Sequence, residues 1–118
     1  MRYMLLVYTR EDLALTADEA TAIAQKHGEV MSEASQKGIF HGADPLASTA
    51  SAFTVRHKGG KVIVMDGPFA ETKEQLAGYY ILDCDSREEA IEWASKIPTE
   101  CGGGSGSIEI RPLRFQKD

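Results

Sequence analysis

The stretch MDGPFAETKEQLAGYYILDCD, residues 65–85, connects two apolar segments of the chain. An acid follows the first apolar run, Gly67 and Pro68 turn the backbone, and a charged run, Glu71–Glu74, precedes the second apolar run. The pattern predicts a strand, a turn and another strand over Ala77–Cys84. A plain hairpin needs far fewer charged residues, so this connection is expected to have a further role.

The apolar periodicity on either side of this stretch predicts two helices and four more strands. Thr16 and Glu19 form a T-x-x-E capping box, and Gly38 follows the last helical residue. A second helix begins after Asp85 or Ser86 and stops before Pro98, because proline cannot continue the backbone ladder. The other predicted elements are a strand at Arg2–Tyr8, the first helix at Thr16–Lys37, a short extended segment at Ile39–Gly42, a hairpin of Phe53–His57 and Lys61–Asp66, and a strand at Ile108–Arg111.

The order of these elements predicts an α+β domain of the ferredoxin-like βαββαβ type with an inserted hairpin, a single domain over residues 1–118. Both helices are expected on one face of the sheet. The strands are apolar on both faces, as where Val62 and Val64 alternate with Ile63 and Met65. A second layer must cover the other face, which predicts a homodimer packed sheet to sheet.

The composition narrows the class of protein and its partners. Of 118 residues, 42% are hydrophobic and 26% charged, as in globular proteins, and the net charge of -5 disfavours nucleic acid as a partner. The apolar start is too short to span a membrane and lacks the features of a secretory signal. The cysteines, Cys84 and Cys101, are expected to be reduced, which predicts a cytoplasmic protein. We see no cofactor motif, and neither His41 nor His57 has acids at metal-ligand spacing.

His27 is the first candidate catalytic residue. It lies on the apolar stripe of the first helix, four residues after Ile23 and four before Met31, so its ring is expected to point toward the sheet. One interpretation is a core histidine bonded to a backbone carbonyl. The other is a general base beside a cavity, because Ala20 and Ala24 on the same face leave space around the ring.

Asp66 is the second candidate, and the charged run after it is the third. Asp66 continues the face of Val62 and Val64 and is expected to be buried, where a carboxylate requires a partner; alternatively, it serves only the turn. The run from Glu71 is either a solvated loop or a cover that brings ligand-binding groups to the mouth of a cleft. The ligand-binding candidates are Glu71, Lys73 and Tyr79.

The segment DGPFAETKE, Asp66–Glu74, resembles the hallmark of the DGPF family, a branch of the YCII-related proteins. The likeness runs nearly end to end, from the opening RYMLLVY to the closing EIRPL. The resemblance implies a ferredoxin-like dimeric α+β barrel. It also implies a proposed catalytic pair, a histidine on the first helix and an aspartate just before a proline at the end of the second. His27 matches the histidine, but Ile97 precedes Pro98.

Two functions are compatible with this departure. Either Asp66 replaces the missing aspartate, or this branch has no acid–base chemistry. In the first case we expect an isomerase or lyase that abstracts a proton from a small organic acid, with His27 as base, Asp66 as its partner or the acid, and Lys73 as an anion contact. In the second case we expect a ligand sensor or a protein-interaction module, with a sigma factor as partner, since DGPF genes often neighbour those of alternative sigma factors.

Overall fold

The computed structural model describes residues 1–99 and 106–114. In chain order its elements are β1 Arg2–Thr9, α1 Ala17–Gln36, β2 Phe40–Pro45, β3 Phe53–Lys58, β4 Lys61–Asp66, β5 Gln75–Asp83, α2 Arg87–Lys96 and β6 Gly106–Pro112. Every predicted element is present. The largest difference from the prediction is β2, which continues past Gly42 because its register with β5 extends from Phe40 to Pro45.

Four antiparallel strands form the main sheet in the order β2-β5-β1-β6. The first and third strands of the βαββαβ unit, β1 and β5, are central, and the other two lie at the edges. This is the ferredoxin-like arrangement, with β3 and β4 inserted between its second and third strands. The predicted α+β fold class is confirmed.

Both helices pack on the same face of this sheet. The capping box of Thr16 and Glu19 starts α1, and the Ser86 hydroxyl accepts the Glu89 amide hydrogen at the start of α2. One cluster of buried side chains joins β1 and β5 to the helices: Leu5, Val7, Val30, Ala34, Tyr80, Leu82, Cys84, Ala90, Trp93 and Ile97. Among the described helices, none is long and apolar enough to cross a membrane.

The inserted hairpin stands apart from the main sheet. Within the described residues, β3 pairs with β4 in a separate two-stranded sheet. Every residue of β4 is exposed, and Val62 and Val64 are 61% and 64% exposed. The expectation that Asp66 is buried is therefore wrong for the single chain, because the strand that carries it does not join the sheet covered by the helices.

The two cysteines lie in different settings. Cys84 is a free, fully buried residue directly after β5, and burial raises the pKa of its thiol to about 11. Its thiol is therefore protonated and unreactive near neutral pH. Cys101 lies outside the described residues.

Candidate functional site

A cavity of about 460 Å³ lies between the first half of α1 and the main sheet. It is at the end of the sheet where β1 and β2 finish and β5 begins, since Thr9, Pro45 and Ala77 line it. The remaining lining residues are mostly apolar: Val7, Leu15, Ala20, Ile23, Ala24, His27, Met31, Ala43, Asp44, Gly78, Tyr79, Tyr80 and Pro98. A cavity of this size and polarity is suited to a small organic molecule.

The cavity follows from the sequence of α1. Its second half is held on the sheet by Val30 and Ala34, which are both buried. In the first half, Ala20 and Ala24 face the cavity and are too short to fill the space beneath the helix. The predicted space beside His27 is therefore present.

His27 is half-buried in the cavity wall and contacts Tyr80 of β5. Its Nδ1 lies 2.6 Å from the Tyr80 hydroxyl oxygen, and the two rings stack with centroids 5.9 Å apart. Tyr80 points to the helices because it lies on the same side of the strand as Leu82 and Cys84, two and four residues later, which are both buried. Among the described residues, His27 is the only polar side chain that a helix contributes to the cavity wall, and this contact connects it to the sheet.

Burial shifts both members of this pair toward their neutral forms. Desolvation lowers the pKa of His27 from its ordinary value of 6.5 and raises the pKa of Tyr80 to about 12. At neutral pH the imidazole is therefore unprotonated and the phenol keeps its hydrogen. A neutral imidazole can accept a proton, and a neutral phenol can donate a hydrogen bond.

A second hydrogen-bonded pair joins β2 and β5 on the face of the sheet opposite the helices, because Asp44 and Tyr79 alternate with Ala43 and Tyr80. The Tyr79 hydroxyl donates to Asp44 Oδ2 over 2.6 Å, and the two residues are opposite each other in the strand register. The hydrogen bond to Asp44 raises the pKa of Tyr79, with the charge of Asp44 as the second cause. Tyr79 borders the cavity, but its ring leaves the sheet on the face opposite His27, and its ligand-binding role stays a prediction.

The other predicted site residues do not line the cavity. Asp66 is at the exposed end of β4, and Glu71 and Lys73 are exposed in the loop that follows. Lys73 does affect Asp12, whose pKa is lowered first by a hydrogen bond from Arg10 and to a smaller degree by the Lys73 charge. The loop after β4 is thus near the segment between β1 and α1. The functional roles of these three residues stay predictions.

The position of the absent family aspartate is filled by a core residue. Ile97 is 4% exposed and belongs to the buried cluster, while Pro98 lines the cavity. An aspartate at position 97, as in the family pattern, would therefore directly precede a residue of the cavity wall. In this chain, the side chain bonded to His27 is the phenol of Tyr80 instead.

Sequence reasoning did not identify Tyr80 as the partner of His27 or Asp44 as the partner of Tyr79. The alternation along β5 gave a usable signal for Tyr80, because its position has the parity of the buried Leu82 and Cys84. Asp44 had no such signal, since the predicted extended segment ended at Gly42. Its position depends on strand pairing between β2 and β5, which brings together residues that are distant in sequence.

The lowered pKa of His27 predicts how stability depends on pH. Because the unfolded ring titrates at its ordinary value and the folded ring below it, the unfolded chain binds more protons between the two values. The free energy of unfolding due to this group therefore falls as pH decreases from 6.5 through the folded pKa, and is constant above that window. Urea unfolding at several pH values should show this slope in the native protein and lose it in His27→Gln. If the native protein and His27→Gln differ in slope only above pH 6.5, the lowered pKa of His27 is contradicted.

Two comparisons with known proteins cover almost the whole chain. A family model described as YCII-related domain matches residues 1–114. An uncharacterized protein of Rhizobium meliloti (strain 1021) is 38% identical over 119 residues, which cover 99% of this chain and 95% of that protein. The family match includes the three strands and the helix that form the cavity, so the site lies in the shared part of the sequence.

Proposed function

The chain belongs to the YCII-related domain family, and from this premise we propose that its cavity is a site of acid–base chemistry on a small, largely apolar molecule. The observation that carries the proposal is the 2.6 Å contact between His27 Nδ1 and the Tyr80 hydroxyl in an apolar cavity. Polar groups that converge in an apolar pocket, with pKa values shifted by burial, are typical of an active site.

The chemistry open to the pair depends on which atom, His27 Nδ1 or the Tyr80 oxygen, donates the hydrogen of the short contact. If Tyr80 donates to Nδ1, the Nε2 atom bears the hydrogen and His27 has no free lone pair. If Nδ1 donates to the Tyr80 oxygen, Nε2 has a free lone pair and the phenol hydrogen is free for a ligand. Only the second arrangement gives a base and a hydrogen-bond donor together, and we assign it to the resting protein.

The proposed step is abstraction of a proton from carbon next to a carbonyl group, as in an isomerase or lyase. Nε2 of His27 takes the proton, and the electron pair of the broken C–H bond moves to form an enolate. The phenol of Tyr80 donates a hydrogen bond to the enolate oxygen. In an isomerisation, the imidazolium then returns its proton to another carbon of the same molecule, and no further reactant is consumed.

The cavity walls favour a neutral group at the reacting end of the substrate. Among the described lining residues there is no lysine or arginine. A substrate carboxylate placed against these apolar walls is opposed by desolvation, and no cationic side chain among the described lining residues offsets that cost. We therefore still propose a small organic acid as the substrate, as predicted from the sequence. Its carboxylate is expected to lie outside the apolar part of the cavity.

A ligand screen with a turnover assay tests the proposal. We expect small ketones, lactones or unsaturated acids to raise the melting temperature of the native protein, since a ligand at 100 times its dissociation constant stabilises by ~2.7 kcal/mol. His27→Gln is expected to bind the same compounds and to turn them over ~10²–10⁴-fold more slowly. His41→Gln, the same change at an exposed histidine of β2, is the control and should keep full turnover.

Two results contradict the proposal. Full turnover by His27→Gln removes the histidine from the mechanism. Failure of every compound to bind, together with capture of a purified sigma factor by the native protein, favours the non-catalytic module instead.

A further inference from the structure

The cavity beneath α1 is open at one end and closed at the other. Leu15, just before the helix, is 38% exposed, and Ala20 near the start of the helix is also exposed. Further along α1, His27 is half-buried and Val30 is 4% exposed, while Tyr80 on the sheet is 3% exposed. The bonded pair of His27 and Tyr80 is therefore at the closed end. A ligand enters at the other end, which we call the mouth (Leu15 and Ala20).

The helix and the sheet fix the distance from the mouth to the bonded pair. Ala20 and His27 are about two turns apart on α1, which corresponds to ~10 Å along the helix axis. On β5, the step from Ala77 to Tyr80 also covers ~10 Å. A row of roughly eight bonded carbon atoms spans this length. A substrate that reaches from the pair to the mouth is therefore elongated.

Small residues on both walls widen the cavity between the mouth and the pair. Ala24 faces it from α1, and Ala77 and Gly78 line it on β5. The register of β1 and β5 shifts here and leaves Ala77 without an opposite residue, as in a β-bulge. A Cβ atom at Gly78 would lie 2.8 Å from the Asp44 carbonyl oxygen, so this position cannot carry a side chain unless β2 moves. The sheet wall is thus bare opposite Ala24.

The cavity is also wider than one carbon chain. Its volume of about 460 Å³ has room for roughly 15 groups the size of a water molecule, each of which takes about 30 Å³ in the liquid. A single row of carbon atoms between the pair and the mouth uses only about half of this space. A ring, which is two carbon atoms wide, fills the cavity better and makes more contacts with its apolar walls.

We propose that the cavity binds an aryl or cyclic keto acid lengthwise. The carbonyl group lies at the closed end against His27 and Tyr80, the ring lies beside Ala24, and the carboxylate lies at the mouth, where it keeps its water. Ala24 is then the residue that determines which ring sizes are accepted, because it is one helical turn from His27 toward the mouth. This inference names the substrate class of the proposed function and rests on it for the chemistry at His27.

Exchange of hydrogen for deuterium tests the inference without knowledge of the natural product. The probes are para-acetylbenzoate and its ortho isomer. Both have methyl hydrogens next to a carbonyl group, but only the para isomer has its ring and carboxylate in line behind that group. In deuterium oxide, we expect the native protein to exchange the methyl hydrogens of the para isomer with a kcat/KM at least ~10-fold above that of the ortho isomer.

Ala24→Leu tests the width of the cavity beside the ring. The larger side chain occupies the proposed position of the ring, so KM for the para isomer should rise at least ~10-fold, with a smaller rise for acetone, which has no ring. Ala22→Leu is the matched control, because Ala22 is an exposed residue of the same helix and is not among the lining residues. It should leave both KM values unchanged.

Nuclear Overhauser contacts test the orientation on the native protein, so this test does not depend on the folding of a variant. We expect contacts from the acetyl methyl group of bound para-acetylbenzoate to the His27 ring, and from the aromatic hydrogens to the Ala24 methyl group. Contacts of the acetyl group with Leu15 and not with His27 place the ligand the other way round and overturn the inference.

The two readouts separate this inference from the proposed function. Equal exchange of the para and ortho isomers, unaffected by Ala24→Leu, overturns lengthwise binding but supports the chemistry at His27. Binding of the para isomer in the expected orientation without any exchange supports lengthwise binding and contradicts the proposed chemistry. If the para isomer does not bind at all, the inference is overturned, and exchange of acetone by the native protein then decides whether the proposed function still holds.

Discussion

Tyr80→Phe is expected to lower turnover by ~10²–10³-fold while the protein remains folded. The change removes only the hydroxyl that lies 2.6 Å from His27 Nδ1 and that we assign as donor to the enolate oxygen. It also leaves the half-buried imidazole without this partner, which should cost about 1–2 kcal/mol of unfolding free energy. Steady-state kinetics and urea unfolding measure the two effects.

Tyr79→Phe is the matched control for this prediction. It removes the neighbouring hydroxyl of the same strand, whose partner is the exposed carboxylate of Asp44. We expect a loss of unfolding free energy below about 1 kcal/mol, because exposed hydrogen bonds are readily replaced by water. Equal losses of turnover in the two variants contradict a specific role for Tyr80.

Trp93→Ala is expected to cost about 3–5 kcal/mol of unfolding free energy, a large part of the stability of a domain of this size. Trp93 is 3% exposed and is the largest residue of the cluster that joins α2 to the sheet. Lys96 Nζ lies 4.4 Å from its ring centroid, so the change also removes a cation–π contact. Chemical denaturation followed by circular dichroism measures the loss.

Ile91→Ala is the control for this prediction, because Ile91 is on the same helix and 45% exposed. We expect a change of about 0.5 kcal/mol, as at other surface positions. If the two alanine variants lose similar amounts of stability, α2 is not held on the sheet through Trp93.

The fold was predictable from the sequence because its signals are local. The capping box of Thr16 and Glu19, the stop at Pro98 and the alternation in the strands each depend on residues within one element. The order of these elements then favours the ferredoxin-like topology. The predicted boundaries differ from those of the structure by a few residues at most, as expected where helix and strand ends fray.

The burial of Asp66 could not be predicted in the same way. Apolar alternation in β4 indicates that a face is covered, but not by which chain. In the single chain the strand pairs only with β3, among the described strands, so its apolar face and Asp66 are exposed. The homodimer that this alternation predicts stays a prediction.

Only part of the candidate site was predictable, because one of its two bonded residues depends on the tertiary structure. His27 and the alanines of α1 follow from helical spacing, which needs no knowledge of the tertiary structure. The Tyr80 hydroxyl reaches His27 only because β5 is a central strand beneath α1, and the two residues are 53 positions apart. The partner of a predicted catalytic residue thus depends on topology more than on local pattern.

The protonation state of His27 tests the central claim most directly. Nitrogen NMR of the imidazole at about pH 7.5 distinguishes its two neutral tautomers and its protonated form. We predict a neutral ring with hydrogen on Nδ1, bonded to the Tyr80 oxygen, and a free Nε2 that can act as base. A ring that is protonated at this pH, or that bears its hydrogen on Nε2, contradicts the assignment of His27 as the base.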